Sequence, residues 1–189
     1  GVRPATLPTA ILSTQTEGFG RPVQLPLGNF MAASAAHWRT QRVSFAGLLV
    51  GYPGSLENLR RLPALLDQLP APLRLVDPVL GDQGSYYPGL GPATRAAFLP
   101  VARLATILTP NWTELGLLAG QEWKNEPAEA AMVAAGERLR GQGITAPLVV
   151  TDVHRDGQVG CLVLTAGTAR FTGGPGYQGH FTGAGGGFA

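Results

Sequence analysis

Cysteine, charged residues and long apolar runs are all scarce in this sequence. A single cysteine, Cys161, rules out an internal disulfide, and its apolar surroundings (GCLVL) are typical of a buried thiol rather than a catalytic one. No apolar stretch approaches the roughly 18–20 residues that cross a bilayer, and the N-terminus lacks a secretory signal pattern. We therefore expect a cytoplasmic protein with no membrane partner.

Neither sign of charge dominates. Charged residues make up 14% of the 189 residues, and 14 Lys and Arg against 12 Asp and Glu leave a net charge of only +2. This balance gives no basic patch for nucleic acid, so no nucleic-acid partner is expected. Apolar residues, at 44%, are plentiful enough to bury a substantial core, and the length fits one domain spanning residues 1–189.

The glycine-rich segment from His180 to Ala189 (HFTGAGGGFA) is a candidate phosphate-binding loop. Glycines let backbone N–H groups converge on an anion, most effectively where a helix begins behind them. A flexible linker or a frayed terminus explains the same composition, and only residues elsewhere in the chain decide between these readings. The sequence starts at Gly1 with the pattern of a domain interior and stops where a helix is expected to start, so we expect a domain that is incomplete at both ends.

Short apolar runs alternate with helical patterns along the chain. The runs predict strands at residues 9–13, 45–50, 73–76, 104–108 and 148–151, a long polar loop at 81–92, and a hairpin formed by 158–165 and 168–172. Helices are predicted at 29–38, from an N-cap at Ser55 to Leu69, near 94–99, at 113–118 and at 127–141. Pro63 is expected to kink or break the second helix. The alternation predicts an α/β fold with a mostly parallel sheet covered on both faces.

Polar residues directly follow five of the predicted strands. The five clusters are Ser13–Thr16, Gly51–Tyr52, Asp77–Asp82, Thr109–Glu114 and Thr151–Asp152. In parallel α/β sheets, ligands bind at the carboxyl ends of the strands. The clusters are therefore expected to face one binding site.

Two carboxylates in the third cluster, Asp77 and Asp82, bracket a turn with the sequence PVLG. Such a pair can face one cavity and hold Mg²⁺ through one or two oxygens plus water. Capping of the turn before Pro78 explains Asp77 without a metal, because Asp commonly bonds its own backbone at turns. The residues alone leave both interpretations open.

Glu114 and Tyr52 also have two readings each. In one reading, Glu114 lies in the first turn of a helix with Asn111 or Thr113 as its N-cap, where the helix dipole favours a negative charge. In the other, Glu114 is a further carboxylate beside the metal ion. Tyr52 either stacks on a flat aromatic ligand, for about 1 kcal/mol, or is an ordinary core or surface tyrosine. The three histidines have no metal-ligand spacing and are assigned no ligand role.

Taken together, these motifs resemble the pyridoxal/pyridoxine (vitamin B6) kinases of the ribokinase-like superfamily. The resemblance runs along essentially the whole chain, and the most specific part is DPVLGD followed by TPNxxE. Its pieces, in the family's order, are STQT at 13–16, GY at 51–52, DPVLGD at 77–82, TPNWTE at 109–114, VVT at 149–151 and GAG at 183–185.

The resemblance implies a three-layer α/β/α fold with a central, mostly parallel sheet. It also implies transfer of the γ-phosphoryl group of ATP to the 5′-hydroxymethyl group of a B6 vitamer, with Mg²⁺ and a monovalent cation as candidate ions, in a homodimer. The pyridine ring would contact Thr16 and Tyr52. The cations would be organised by Asp77, Asp82 and Glu114, and the nucleotide side would be lined by Asp77, Thr109, Asn111, Thr151 and Asp152.

The terminal glycines match the family with one difference. Gly183, Ala184 and Gly185 would form the anion hole, but the family has an aspartate general base at the position of Gly186. Glycine cannot accept a proton, and losing a general base typically costs about 10²–10⁴-fold in rate. The resemblance also implies a first strand before Gly1 and further helices after Ala189. This chain is therefore expected to be an impaired kinase.

Two alternatives remain. A hydroxymethylpyrimidine kinase of thiamine synthesis shares the fold and the glycine loop, although the STQT and GY motifs favour a B6 vitamer. A non-catalytic vitamin- or nucleotide-binding protein, or a degenerate fragment, would explain the missing base.

Overall fold

The computed structural model describes residues 3–15 and 19–176. Its helices are α1 (Gly28–Thr40), α2 (Leu56–Gln68), α3 (Pro92–Ala102), α4 (Trp112–Ala119) and α5 (Glu129–Gly141). Its first six strands are β1 (Ala10–Leu12), β2 (Gln24–Pro26), β3 (Gly47–Val50), β4 (Leu73–Val76), β5 (Gly81–Asp82) and β6 (Ser85–Tyr86). The remaining strands are β7 (Ile107–Leu108), β8 (Leu148–Arg155), β9 (Gln158–Thr165) and β10 (Thr168–Pro175).

A six-stranded sheet with the order β10-β9-β8-β7-β4-β3 forms the centre of the molecule. Strands β3, β4, β7 and β8 run parallel to one another, whereas β9 and β10 extend the sheet from β8 as an antiparallel hairpin. Helices flank this sheet: α2 packs against α1 and α3, and α4 packs against α5 and β8. The predicted α/β fold with a mostly parallel sheet is confirmed.

Helix α2 begins where the sequence predicts. The Ser55 hydroxyl accepts a hydrogen bond from the Asn58 N–H at 3.0 Å, and the leucines at helical spacing are buried. The break considered at Pro63 is wrong, because the helix continues through it to Gln68. Proline costs a helix interior about 3 kcal/mol, whereas burying each leucine contributes about 1.5–3 kcal/mol. The four leucines buried on both sides of the proline outweigh that cost; they are Leu59, Leu62, Leu65 and Leu66.

The first predicted strand forms, but outside the central sheet. Strand β1 pairs antiparallel with β2, which the sequence analysis missed, and the two make a separate ribbon. The cross-strand partners Ile11 and Leu25 are each 59% exposed, so this short apolar run does not pack as a core strand. The ribbon consists of Ala10–Leu12 and Gln24–Pro26, and we refer to it below as the β1–β2 ribbon.

Two further differences lie near the predicted polar clusters. Within the predicted loop at 81–92, β5 and β6 form a small antiparallel pair. Strand β8 does not end at Thr151 as predicted; it continues to Arg155 past an irregularity between Val150 and Val153. Asp152 lies at this irregularity with a φ of 58°, a left-handed conformation that Asp tolerates better than most residues.

The core lies between the sheet and the helices. Its fully buried side chains include Leu59 of α2, Phe98 of α3, Leu115 of α4, and Leu108 and Leu162 of the sheet. Among residues 3–15 and 19–176, no helix is long and apolar enough to cross a membrane.

Candidate functional site

Neighbouring strand ends meet at the carboxyl edge of the sheet. The N–H of Asp77, after β4, donates to the carbonyl of Val50 at the end of β3, at 2.8 Å. The N–H of Thr109, after β7, donates to the carbonyl of Val76 at 2.9 Å. Three of the predicted polar clusters therefore lie side by side, as the parallel topology requires.

The start of α4 is closed by a reciprocal pair of hydrogen bonds. Asn111 is the N-cap: its Oδ1 accepts from the Glu114 N–H at 2.8 Å, and Glu114 Oε2 accepts from the Asn111 N–H at 3.0 Å. This arrangement satisfies two backbone donors that a helix start leaves unpaired. The helix-capping reading of Glu114 is thus present in the fold.

The same side chains hold the loop that carries Asp77 and Asp82. Glu114 Oε1 accepts from the N–H of Leu80 at 2.8 Å, and Asn111 Nδ2 donates to the carbonyl of Gly81 at 2.9 Å. Glu114 is 3% exposed, and each of its carboxylate oxygens is engaged by backbone. Glu114 therefore positions the acidic loop, while the carboxylates of that loop remain more accessible.

Burial raises the pKa of three groups in this region, and nearby carboxylates add to the rise in two of them. Burial, followed by the charge of Asp77, raises the pKa of Glu114 to about 7, despite hydrogen bonds from backbone N–H groups that lower it. Burial also raises the pKa of Asp77, opposed by a bond from the Val79 N–H. For Tyr87, burial followed by the charges of Glu114, Asp82 and Asp77 raises the phenol pKa to about 12. A cation would relieve this accumulation of negative charge.

The backbone of the acidic loop is strained at Val79. Its φ is 43°, and a β-branched side chain in the left-handed region is unusual, costing on the order of 1–3 kcal/mol. Asp82, which follows, is half-buried and accepts the N–H of Gln83 at 2.8 Å. In the part of the chain that the structure describes, no group of three or more His, Cys, Asp or Glu side chains is arranged to hold a metal ion. Metal binding by Asp77, Asp82 and Glu114 remains a prediction.

The predicted nucleotide side is continuous with the acidic loop. Asn111 and Thr151 form a parallel bridge, and the Thr151 N–H donates to the carbonyl of Pro110 at 2.9 Å. Burial, opposed by the charge of His154 and by a hydrogen bond from the Trp112 side chain, raises the pKa of Asp152. Thr109, Asn111, Thr151 and Asp152 are therefore brought together by β7, α4 and β8.

Tyr52 lies on the other side, next to the β1–β2 ribbon. The residue is 40% exposed, and its hydroxyl accepts from Gln24 Nε2 at 3.1 Å. Gln24 and Tyr87 could not be predicted from the sequence motifs, because neither belongs to a strand-end cluster. The predicted substrate contact Thr16 and the predicted glycine loop, with Gly183, Ala184, Gly185 and Gly186, lie outside the described residues.

Two cavities lie away from this edge. One of about 240 Å³ is lined by residues of the β2–α1 junction and α2, and one of about 360 Å³ by residues of α5 and of β9 and β10. Neither cavity is lined by a predicted site residue.

Comparison with known proteins shows which enzymes this chain is similar to. No protein-family model matches the chain. The pyridoxine/pyridoxal/pyridoxamine kinase of Bordetella avium is 34% identical over 184 residues, which cover 89% of this chain and 59% of that protein. The crystal structure of pyridoxal kinase from Lactobacillus plantarum is 36% identical with a TM-score of 0.84, covering 96% of this chain and 65% of that one. This chain is similar to the pyridoxal kinases over about three fifths of their length.

More distant structures agree on the fold. A Bacteroides thetaiotaomicron structure that carries the name of a phosphomethylpyrimidine kinase, and contains pyridoxal, is 25% identical with a TM-score of 0.75, covering 87% of this chain and 59% of that one. Pyridoxal kinase from Leishmania donovani, in complex with ADP and pyridoxamine, is 20% identical with a TM-score of 0.76, covering 95% and 64%. The chain thus spans about three fifths of the length of each of these proteins. The ribokinase-like fold is confirmed, and the phosphomethylpyrimidine kinases match only secondarily.

Proposed function

We propose that this chain forms most of the site of an ATP-dependent kinase that phosphorylates the 5′-hydroxymethyl group of a B6 vitamer. The observation that carries the proposal is the match at 36% identity to a pyridoxal kinase, over 96% of the chain. The strand-end clusters support it, because a nucleotide side and an acidic loop adjoin at one edge of the sheet. Phosphoryl transfer depends mainly on such positioning and on charge stabilisation.

Magnesium fits the acidic loop better than it fits α4. Asp82 has one carboxylate oxygen bonded to the Gln83 N–H, and Asp77 has a raised pKa that a nearby cation would lower. We propose that Asp77 and Asp82 hold the ion through oxygen and water, and that Glu114 acts by fixing the loop. The ion would neutralise charge on the transferring phosphoryl group.

The two ligands would lie on opposite sides of this loop. Thr109, Asn111, Thr151 and Asp152 would line the nucleotide side, which is supported by their contiguity and by ADP in the Leishmania relative. Tyr52, with its ring partly exposed, would contact the vitamer together with Thr16. The family resemblance also suggests a cytoplasmic homodimer, which light scattering of the purified chain and cell fractionation would test.

The missing general base limits the expected rate. The anion hole proposed for Gly183, Ala184 and Gly185 is followed by Gly186, where the resemblance implies an aspartate. We expect slow or undetectable formation of pyridoxal 5′-phosphate by the chain as it stands, and an increase of about 10²–10⁴-fold in Gly186→Asp. The matched control is Gly187→Asp, which adds the same carboxylate one residue later.

The decisive assay is ATP-dependent formation of the vitamer 5′-phosphate, separated by chromatography, with hydroxymethylpyrimidine as competitor. Turnover in Gly186→Asp but not in Gly187→Asp supports the proposal. Preferential phosphorylation of hydroxymethylpyrimidine would replace the substrate assignment with the thiamine-pathway alternative. Calorimetric binding of pyridoxal or ATP without turnover in any variant would favour the non-catalytic binding protein.

A further inference from the structure

The β1–β2 ribbon is attached to the loop that carries Tyr52. The Thr9 hydroxyl donates to the carbonyl of Tyr52 at 2.9 Å. The buried side chain of Asn58 donates from Nδ2 to the carbonyls of Thr9 and Pro53, at 3.0 and 2.9 Å. These bonds fix the backbone of the Tyr52 loop, but they leave the tyrosine ring itself free to turn about its side-chain torsions.

Gln24 of β2 is the group that reaches the end of the ring. Its Nε2 donates to the Tyr52 hydroxyl at 3.1 Å, and its Oε1 lies 3.4 Å from the same hydroxyl. The Nε2 also donates to the carbonyl of Gly54 in the same loop. One half-buried amide therefore holds both the tip of the ring and the backbone two residues beyond it.

A ring held at both ends is already ordered before a ligand arrives. Stacking on a flat aromatic ligand needs the ring in one orientation, and ordering a free side chain on binding reduces affinity. Because Tyr52 is 40% exposed, packing alone does not impose that orientation. The contact with Gln24 supplies it from a separate part of the chain, 28 residues away.

We propose that Gln24 is a positioning residue for the substrate, acting through the Tyr52 hydroxyl to hold the ring against an aromatic, pyridine-like ligand. The inference rests on the proposed function, since it takes Tyr52 as a substrate contact. Gln24 touches neither the nucleotide side nor the acidic loop in the described contacts. Its effect should therefore appear in affinity for the vitamer and not in affinity for the nucleotide.

A double-mutant cycle tests this. The dissociation constants of pyridoxal and of ADP are measured by calorimetry for the wild-type chain, Gln24→Met, Tyr52→Phe and the double variant. Gln24→Met keeps the length of the side chain but loses its amide, and Tyr52→Phe keeps the ring but loses the hydroxyl. Gln68→Met, on the exposed face of α2, is the matched control for the substitution itself.

We expect Gln24→Met to weaken pyridoxal binding roughly two- to tenfold, the range of one net hydrogen bond, and to leave ADP binding unchanged. In the Tyr52→Phe background the same substitution should have a clearly smaller effect, because the hydroxyl through which it acts is gone and only the bond to the Gly54 carbonyl is left to lose. An equal loss in both backgrounds, or no loss in either, would overturn the inference while leaving the proposed function standing. If the wild-type chain binds no vitamer at all, the proposed function fails and the inference fails with it.

Discussion

The carboxylate of Glu114 accepts the backbone N–H of Leu80 at 2.8 Å, across 34 residues of sequence. Its second oxygen accepts the N–H of Asn111, so one buried side chain joins the start of α4 to the acidic loop. The loop geometry at Asp77 and Asp82 depends on this connection. Glu114 is therefore the structural centre of the proposed site, whether or not it contacts an ion.

Removing the Glu114 carboxylate should be costly for stability. Glu114→Ala leaves the buried N–H of Leu80 and the partly buried N–H of Asn111 without acceptors, and each unsatisfied group costs about 1–3 kcal/mol. We expect a loss of roughly 2–5 kcal/mol in the free energy of unfolding, measured by urea denaturation. Glu137→Ala is the control, because Glu137 is an exposed helix residue paired with Arg140, and should change the free energy by less than about 1 kcal/mol. Equal losses in the two variants would contradict the role given to Glu114.

The raised pKa of Glu114 predicts how the free energy of unfolding changes with pH. Its pKa is about 7 in the folded protein, against an ordinary value of 4.5, so the folded state binds the proton more tightly than the unfolded state. The stability that Glu114 contributes is thus complete below about pH 4.5 and is lost as the pH rises through about 7. The total loss in the free energy of unfolding is on the order of 3 kcal/mol.

Comparing the wild-type chain with Glu114→Gln isolates this effect, since all other groups titrate in both. Between pH 5 and pH 8 the wild-type free energy of unfolding should fall relative to that of the Gln variant. A difference that does not change with pH would show that Glu114 titrates at an ordinary value.

Tyr87 should report the charge of the acidic loop. Its phenol pKa of about 12 reflects burial and then the carboxylates of Glu114, Asp82 and Asp77. Asp82→Asn removes one of these charges, so the pKa of Tyr87 should fall, as followed by ultraviolet absorbance of tyrosinate with Tyr87→Phe to assign the signal. Asp67→Asn, at an exposed position of α2, should leave it unchanged. An unshifted titration in Asp82→Asn would mean that the phenol and this carboxylate are not neighbours in solution.

The attachment of the β1–β2 ribbon should depend on Gly54. Its φ is +78°, and an added Cβ would lie 2.7 Å from the carbonyl oxygen of Thr9. Gly89 has a similar φ of +84°, but an added Cβ there would meet nothing within 4 Å, so Gly89→Ala measures backbone strain alone. We expect Gly54→Ala to cost about 1–3 kcal/mol more than Gly89→Ala, and to speed hydrogen exchange of the Leu27 N–H, which is bonded to Thr9. Matching effects of the two substitutions would argue against close packing at Gly54.

The elements that the sequence predicts correctly are those with strong local signals. Helix α2 has a Ser55 cap and leucines at helical spacing, and β4 has a short, mostly apolar run closed by Asp77 and Pro78, so both form where expected. The β1–β2 ribbon and the β5–β6 pair were misassigned or missed, since strands of two or three residues are too short to show a period. The continuation of β8 beyond Thr151 was missed because an irregular residue interrupts its pattern.

The sequence by itself determined the α/β class, the order of the polar clusters and their relation to the pyridoxal kinases, because these follow from local periodicity and from motifs read in order. Only the tertiary structure decided which of these residues form hydrogen bonds with residues distant in the sequence. Glu114 turned out to hold Leu80, and Gln24 to hold Tyr52. Such contacts join residues about 30 positions apart, and a hydrogen bond depends on distances that only the packed fold defines.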